Sequence, residues 1–116
     1  MSAKHVLLID DNRDAVESMA MLFEMEGHRV TSAFNGTSGL DQARRDPPDI
    51  AVIDIGLPDI TGDEVARRLR SEMPQVMLVA LSGRAREDMP LAVARSFDHH
   101  LVKPVEIEQL LRLVSR

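Results

Sequence analysis

Polar side chains able to do chemistry stand where short apolar runs end. Asp10 and Asp11 follow His5 to Ile9 (HVLLI), and Asp54 follows Ile50 to Ile53 (IAVI). Ser82 follows Val76 to Leu81 (VMLVAL), and Lys103 follows Asp98 to Val102 (DHHLV). Brought within a few Å of one another, three carboxylates repel, and without a counter-charge some would protonate. A hard divalent cation removes that conflict. Mg²⁺ (or Mn²⁺) is the natural choice, because Mg²⁺ takes one or two carboxylates and keeps waters and phosphate oxygens as its other ligands. Three carboxylates, one divalent cation and one lysine sum to zero, and a phosphoryl group fits beside them. Each residue alone also has an ordinary reading. The aspartates can cap helices, Ser82 can be a loop serine and Lys103 a surface lysine. Their joint placement carries the argument.

The elements that would place them alternate. Ile50 to Ile53 is too short for a helix and rich in branched residues, the pattern of a strand buried on both faces. Gly56 and Pro58 then turn the chain. From Arg13 to Glu26, Val16, Met19, Ala20 and Phe23 recur at helical spacing, and Gly27 suits a left-handed helix end. Arg29 to Ala33 is a second, β-branched strand. Asn35-Gly36 makes a turn, and Thr37 is the expected cap of a helix reaching about Arg45. Pro47-Pro48 ends it. Asp63 to Ser71 carries Val65, Ala66 and Leu69 on one helical face, and Val76 to Leu81 is the fourth strand. Pro90 confines the next helix to a start near Asp88 or Met89. Asp98 to Val102 is the fifth strand, and Ile107, Leu110, Leu111 and Val114 line the last helix. Strand–helix alternation with short connections predicts an α/β fold, a doubly wound parallel sheet with helices on both faces. The length fits a flavodoxin-like sheet of five strands in the order 2-1-3-4-5, with five helices in a three-layer α/β/α stack. Ligands of such sheets bind outside the carboxyl ends of the strands, where these polar residues stand.

A chain of 116 residues reads as one domain, 1–116, with a core that needs no staples. Cysteine is absent, which excludes disulfides and thiolate metal sites. The N-terminus lacks a signal-peptide pattern, and no apolar stretch approaches the ~20 residues of a membrane span. A soluble, cytoplasmic protein with no membrane partner is expected. The net charge of -5 and the absence of Trp and Tyr argue against nucleic-acid binding. The first strand–helix turn reads DDNRD, so a nucleotide pyrophosphate would meet carboxylates there instead of a glycine-rich loop.

Taken together, the chain resembles the receiver domain of two-component response regulators from end to end. The matching residues are Asp10-Asp11, Asp54 in VIDIGLP, Ser82, Lys103-Pro104 and Gly62. The resemblance implies that Asp54 is phosphorylated by a histidine kinase or a histidine phosphotransfer protein. It further implies that Asp11 binds Mg²⁺ directly and Asp10 largely through water, with the Gly56 backbone carbonyl as another ligand. Lys103 would pair with a phosphoryl oxygen across a cis Lys103–Pro104 bond, and Ser82 would donate its hydroxyl once the phosphoryl group arrives. The implied output is a conformational change read by a partner protein or domain, with homodimerisation on phosphorylation as one form. Catalysis would be limited to self-phosphorylation and slow autodephosphorylation.

Some positions depart from the family pattern. His100 stands where an aromatic switch residue is usual, which predicts a weaker or pH-sensitive relay. Gly56 leaves the approach to the phosphoryl group open, whereas Arg84 can cover it. Ser96 stands where Gly is common. His99 and His100 are strand neighbours on opposite faces and cannot chelate together. The rival function is an Mg²⁺-dependent hydrolase passing through an aspartyl phosphate. Such enzymes generally place an acid–base aspartate two residues after the nucleophile, and here that position is Gly56. The tail FDHHLVKP is similar to receivers fused to hybrid histidine kinases, so both a single-domain regulator and a receiver from a longer chain fit.

Overall fold

The computed structural model describes residues 3–115. The elements run β1 (His5–Ile9), α1 (Arg13–Met25), β2 (Arg29–Ala33), α2 (Gly36–Arg45) and β3 (Ile50–Asp54). They continue α3 (Gly62–Glu72), β4 (Met77–Ser82), α4 (Leu91–Ala94), β5 (His99–Val102) and α5 (Ile107–Val114). All strand pairs are parallel, in the order β2-β1-β3-β4-β5. This is the doubly wound arrangement that the alternation predicts.

The continuous apolar runs are explained by helices on both faces. β1 and β3 are buried along their whole length. Leu7, Ile9, Ala51 and Ile53 point to one face, where Leu40 of α2 and Val65 and Leu69 of α3 pack. Val6, Leu8 and Val52 point to the other, against Val16 and Phe23 of α1 and Leu110 and Leu113 of α5. A period of two along each strand thus feeds two separate cores.

Helix ends show where local reading succeeds and where it needs correction. Gly27 adopts φ +90°, the left-handed conformation that ends α1. The cap of α2 is Asn35, whose side chain accepts the Ser38 N–H at 2.8 Å. Thr37 instead lies inside the helix and donates its hydroxyl to Asp59. α4 starts later than its sequence suggests, at Leu91, with Pro90 as its cap at φ -56° and ψ 140°. Proline forces the residue before it out of the helical region, and Met89 is accordingly extended at φ -90° and ψ 149°. Arg86–Asp88 forms a separate single turn of 3₁₀ helix.

Candidate functional site

Parallel alignment brings the carboxyl ends of β1, β3, β4 and β5 to one edge of the sheet. At the end of β1, the Asp10 N–H is fixed by the Ala33 carbonyl at 3.1 Å. Its side chain is 1% exposed and accepts two hydrogen bonds, from the Asn12 N–H at 3.1 Å and from Lys103 Nζ at 3.1 Å. Asp54 ends β3. Its Oδ1 accepts the Gly56 N–H at 3.2 Å, and its Oδ2 lies 3.4 Å from Lys103 Nζ. Lys103 reaches both carboxylates from the end of β5, where its own N–H donates to the Ser82 carbonyl at 2.8 Å; its bond to Pro104 is cis. Asp11 is exposed beside them. Carboxylate oxygens of Asp10, Asp11 and Asp54 lie within 4.8 Å of one another.

Charge in this cluster is only partly balanced. Burial raises the affinity of Asp54 for a proton, and the Asp10 carboxylate raises it further. The Gly56 N–H and Lys103 act against that rise without cancelling it. For Lys103, burial works against the ammonium form, but Asp10 and Asp54 hold its pKa above the usual lysine value. The donor set is therefore all oxygen, negatively charged and incompletely compensated. Those properties fit a hard divalent cation.

The loop after β3 is held at close quarters. Gly62 N–H donates to the Ile55 carbonyl at 3.0 Å, and a Cβ on Gly62 would stand 2.4 Å from the Asp54 carbonyl oxygen. Only glycine lets α3 start this near the backbone that carries Asp54. Gly56, by contrast, faces open space. Asp59 closes the loop onto α2 by accepting from the Gly36 N–H, the Thr37 N–H and the Thr37 hydroxyl. These bonds hold its carboxyl well below the usual carboxylate range despite the opposing effect of desolvation.

Ser82 stands one residue beyond Leu81, the β4 partner of Asp54. Its buried hydroxyl accepts the Arg84 N–H at 3.0 Å, and it makes no hydrogen bond to the carboxylates. His100 lies away from the acidic cluster. Its Nε2 donates to the Ala94 carbonyl at 2.9 Å, and its ring meets Phe97 edge-on at 6.0 Å. Burial lowers its pKa. The structure thus brings together Asp10, Asp11, Asp54 and Lys103, sets Ser82 alongside, and separates His100. Asn12 and Asp59 support the site although sequence reading passed over both. Asn12 is a recognisable helix cap, but the partner of Asp59 lies over twenty residues away in sequence and leaves no local signal.

Residues 6–115 match the response regulator receiver domain family. The chain belongs to this family. The receiver is 36% identical over 107 residues to the "Probable transcriptional regulatory protein TcrX" of Mycobacterium tuberculosis, an alignment covering 91% of this chain and 46% of that protein. The chain spans about half the length of this relative and of two others it matches, from Bacillus subtilis and Escherichia coli. Among solved structures, a CheY-like receiver domain from Methylobacillus flagellatus superposes with a TM-score of 0.87 at 29% identity, covering 98% of both chains. The response regulator TrrA of Thermotoga maritima, solved in complex with Mg²⁺ and BeF, gives a TM-score of 0.87 at 25% identity, covering 97% of this receiver and 96% of that chain. No helix among the described residues is long and apolar enough to cross a membrane.

Proposed function

We propose that residues 1–116 form a phosphoacceptor domain in which Asp54 takes a phosphoryl group from a histidine kinase or histidine phosphotransfer protein and signals to an output partner. The observation that carries this reading is the convergence of Lys103 on Asp10 and Asp54 beside a third carboxylate, Asp11. Phosphoryl transfer asks a protein mainly for positioning and charge stabilisation, and this cluster supplies both. Asp10, Asp11, Asp54 and the Gly56 carbonyl are the groups that would hold Mg²⁺ or Mn²⁺. When bound, that cation neutralises carboxylate charge and the charge on the phosphoryl oxygens.

An Asp54 oxygen forms the new bond to phosphorus while the P–N bond of the donor breaks. The electron pair stays on nitrogen, and a donor ring protonated on its other nitrogen leaves as neutral imidazole. Lys103, already held between the two carboxylates, pairs with a phosphoryl oxygen. Asp54 gains negative charge and acceptor oxygens, and Ser82 can then exchange its Arg84 contact for the phosphoryl group. That exchange reshapes the β4–β5 surface and shifts the population between two conformations. The protein is a cytoplasmic signalling module that binds neither membrane nor nucleic acid through this domain, and homodimerisation on phosphorylation is one form its output can take.

An aspartyl-phosphate hydrolase fits less well. Gly56 stands where the second carboxylate of such an enzyme would be, and it offers no acid or base. Catalysis is confined to self-phosphorylation and slow loss of the phosphoryl group. Beryllofluoride, which mimics an acyl phosphate, tests the reading by NMR titration in Mg²⁺. The expected result is saturable binding to wild type that Asp54→Ala abolishes. Equal binding to both proteins, or to neither, would overturn it.

A further inference from the structure

Arg13 opens α1 two residues after Asp11, and its guanidinium lies 4.0 Å from the centre of the Phe34 ring. Phe34 follows Ala33, whose carbonyl fixes the Asp10 N–H. The stack therefore stands on the β2 side of the acidic cluster, whereas Lys103 enters from β5. No carboxylate pairs with Arg13 among the described residues, although Asp11 and Asp14 are close in sequence. Elsewhere Arg29, Arg44, Arg67 and Arg70 each hold a carboxylate. Nor does the helix call for a cation at this place, because the N-terminal end of the macrodipole is positive. Stacking on a ring fixes the direction of a guanidinium without neutralising it, and its planar fork suits phosphate oxygens.

We propose that Arg13, presented by Phe34, is a donor-recognition residue at the rim of the site. It binds phosphoryl oxygens of an incoming small-molecule donor and favours doubly charged acyl phosphates over singly charged phosphoramidate. This inference rests on Asp54 being the phosphoacceptor. With an acyl phosphate, an Asp54 oxygen bonds to phosphorus as the donor P–O bond breaks, and its electron pair leaves with the carboxylate; no proton moves. Arg13 makes and breaks no bond. Phe34 is a positioning residue.

The test compares second-order labelling rates with a small acyl phosphate and with phosphoramidate at saturating Mg²⁺. The chain has no Trp, so labelling is followed by intact mass. Arg13→Ala is expected to slow the acyl phosphate reaction by about three- to tenfold and the phosphoramidate reaction by less than about twofold. Raised ionic strength should close the gap between wild type and variant, since exposed charges are screened. Arg13→Lys should recover part of the rate, and Phe34→Leu should fall between wild type and Arg13→Ala. A melting transition for each variant confirms folding. Equal slowing with both donors, or no slowing in Arg13→Ala, would overturn the proposal while leaving Asp54 as acceptor. Failure of wild type to label with either donor would instead remove the phosphoacceptor reading, and this one with it.

Discussion

Burial and the Asp10 carboxylate both raise the proton affinity of Asp54, so the site carries a conflict that a nearby cation relieves. A carboxylate whose folded pKa is raised penalises the native state once pH exceeds its unfolded value, and the penalty is complete above the folded pKa. Asp54→Asn should therefore raise Tm at neutral pH without divalent cation, and the gain should shrink as pH falls through the raised folded pKa and vanish at the unfolded value of 3.8. Saturating Mg²⁺ should narrow it as well, because the cation neutralises the same charge. Calorimetry across pH, with and without Mg²⁺, checks this; a variant less stable than wild type at neutral pH without Mg²⁺ would contradict it. Lys103→Ala works in the opposite direction. It strips the ammonium from a fully buried Asp10 and should cost about 1–3 kcal/mol in urea unfolding. Of these residues, the acidic pair, Asp54 and Lys103 were legible because each stands where an apolar run ends. The dual grip of Lys103 was not, since its partners Asp54 and Asp10 lie 49 and 93 residues away in sequence.

Loops decide how the strand ends meet. Gly62 packs its α-carbon against the Asp54 and Ile55 backbone, and backbone cannot yield as a side-chain tip can. Gly62→Ala should destabilise the fold by about 1–3 kcal/mol and weaken beryllofluoride binding, because the shift falls on the residue that bears Asp54. Unchanged binding and Tm would show that the loop has slack. Asp59 secures the same loop from the other side. Its folded pKa is depressed, so its stabilisation is present above the unfolded value of 3.8 and is lost as pH falls through the folded one. Asp59→Ala should have a lower Tm at pH 7, and the gap should close in strong acid. Periodicity made the strands and the long helices readable. It failed at α4, where Pro90 and the extended Met89 leave a single helical turn, and the cap expected at Thr37 is supplied two residues earlier by Asn35, which leaves the Thr37 hydroxyl to Asp59.

Across the whole molecule, two cores hold a sheet whose one edge gathers the charged groups, and α4 hangs from that sheet by few ties. One of them is the His100 bond to the Ala94 carbonyl. Burial lowers the His100 pKa, so protonation opposes the folded state, and stability should fall as pH drops below the ordinary histidine value of 6.5. His100→Phe should remove that component while altering the NMR shifts of the β4–β5 face on beryllofluoride binding. Identical shift changes in both proteins would show that His100 is no part of the relay. The fold was legible in full as topology, because alternation and right-handed crossovers leave few arrangements. The relay was not, because it depends on which way one ring points. The central claim concerns Asp54, and peptide mapping after exposure to a small acyl phosphate tests it most directly. One phosphoryl group on Asp54, formed only with divalent cation and absent from Asp54→Asn, is the predicted result. Label on another residue, or label that persists in Asp54→Asn, would contradict the account.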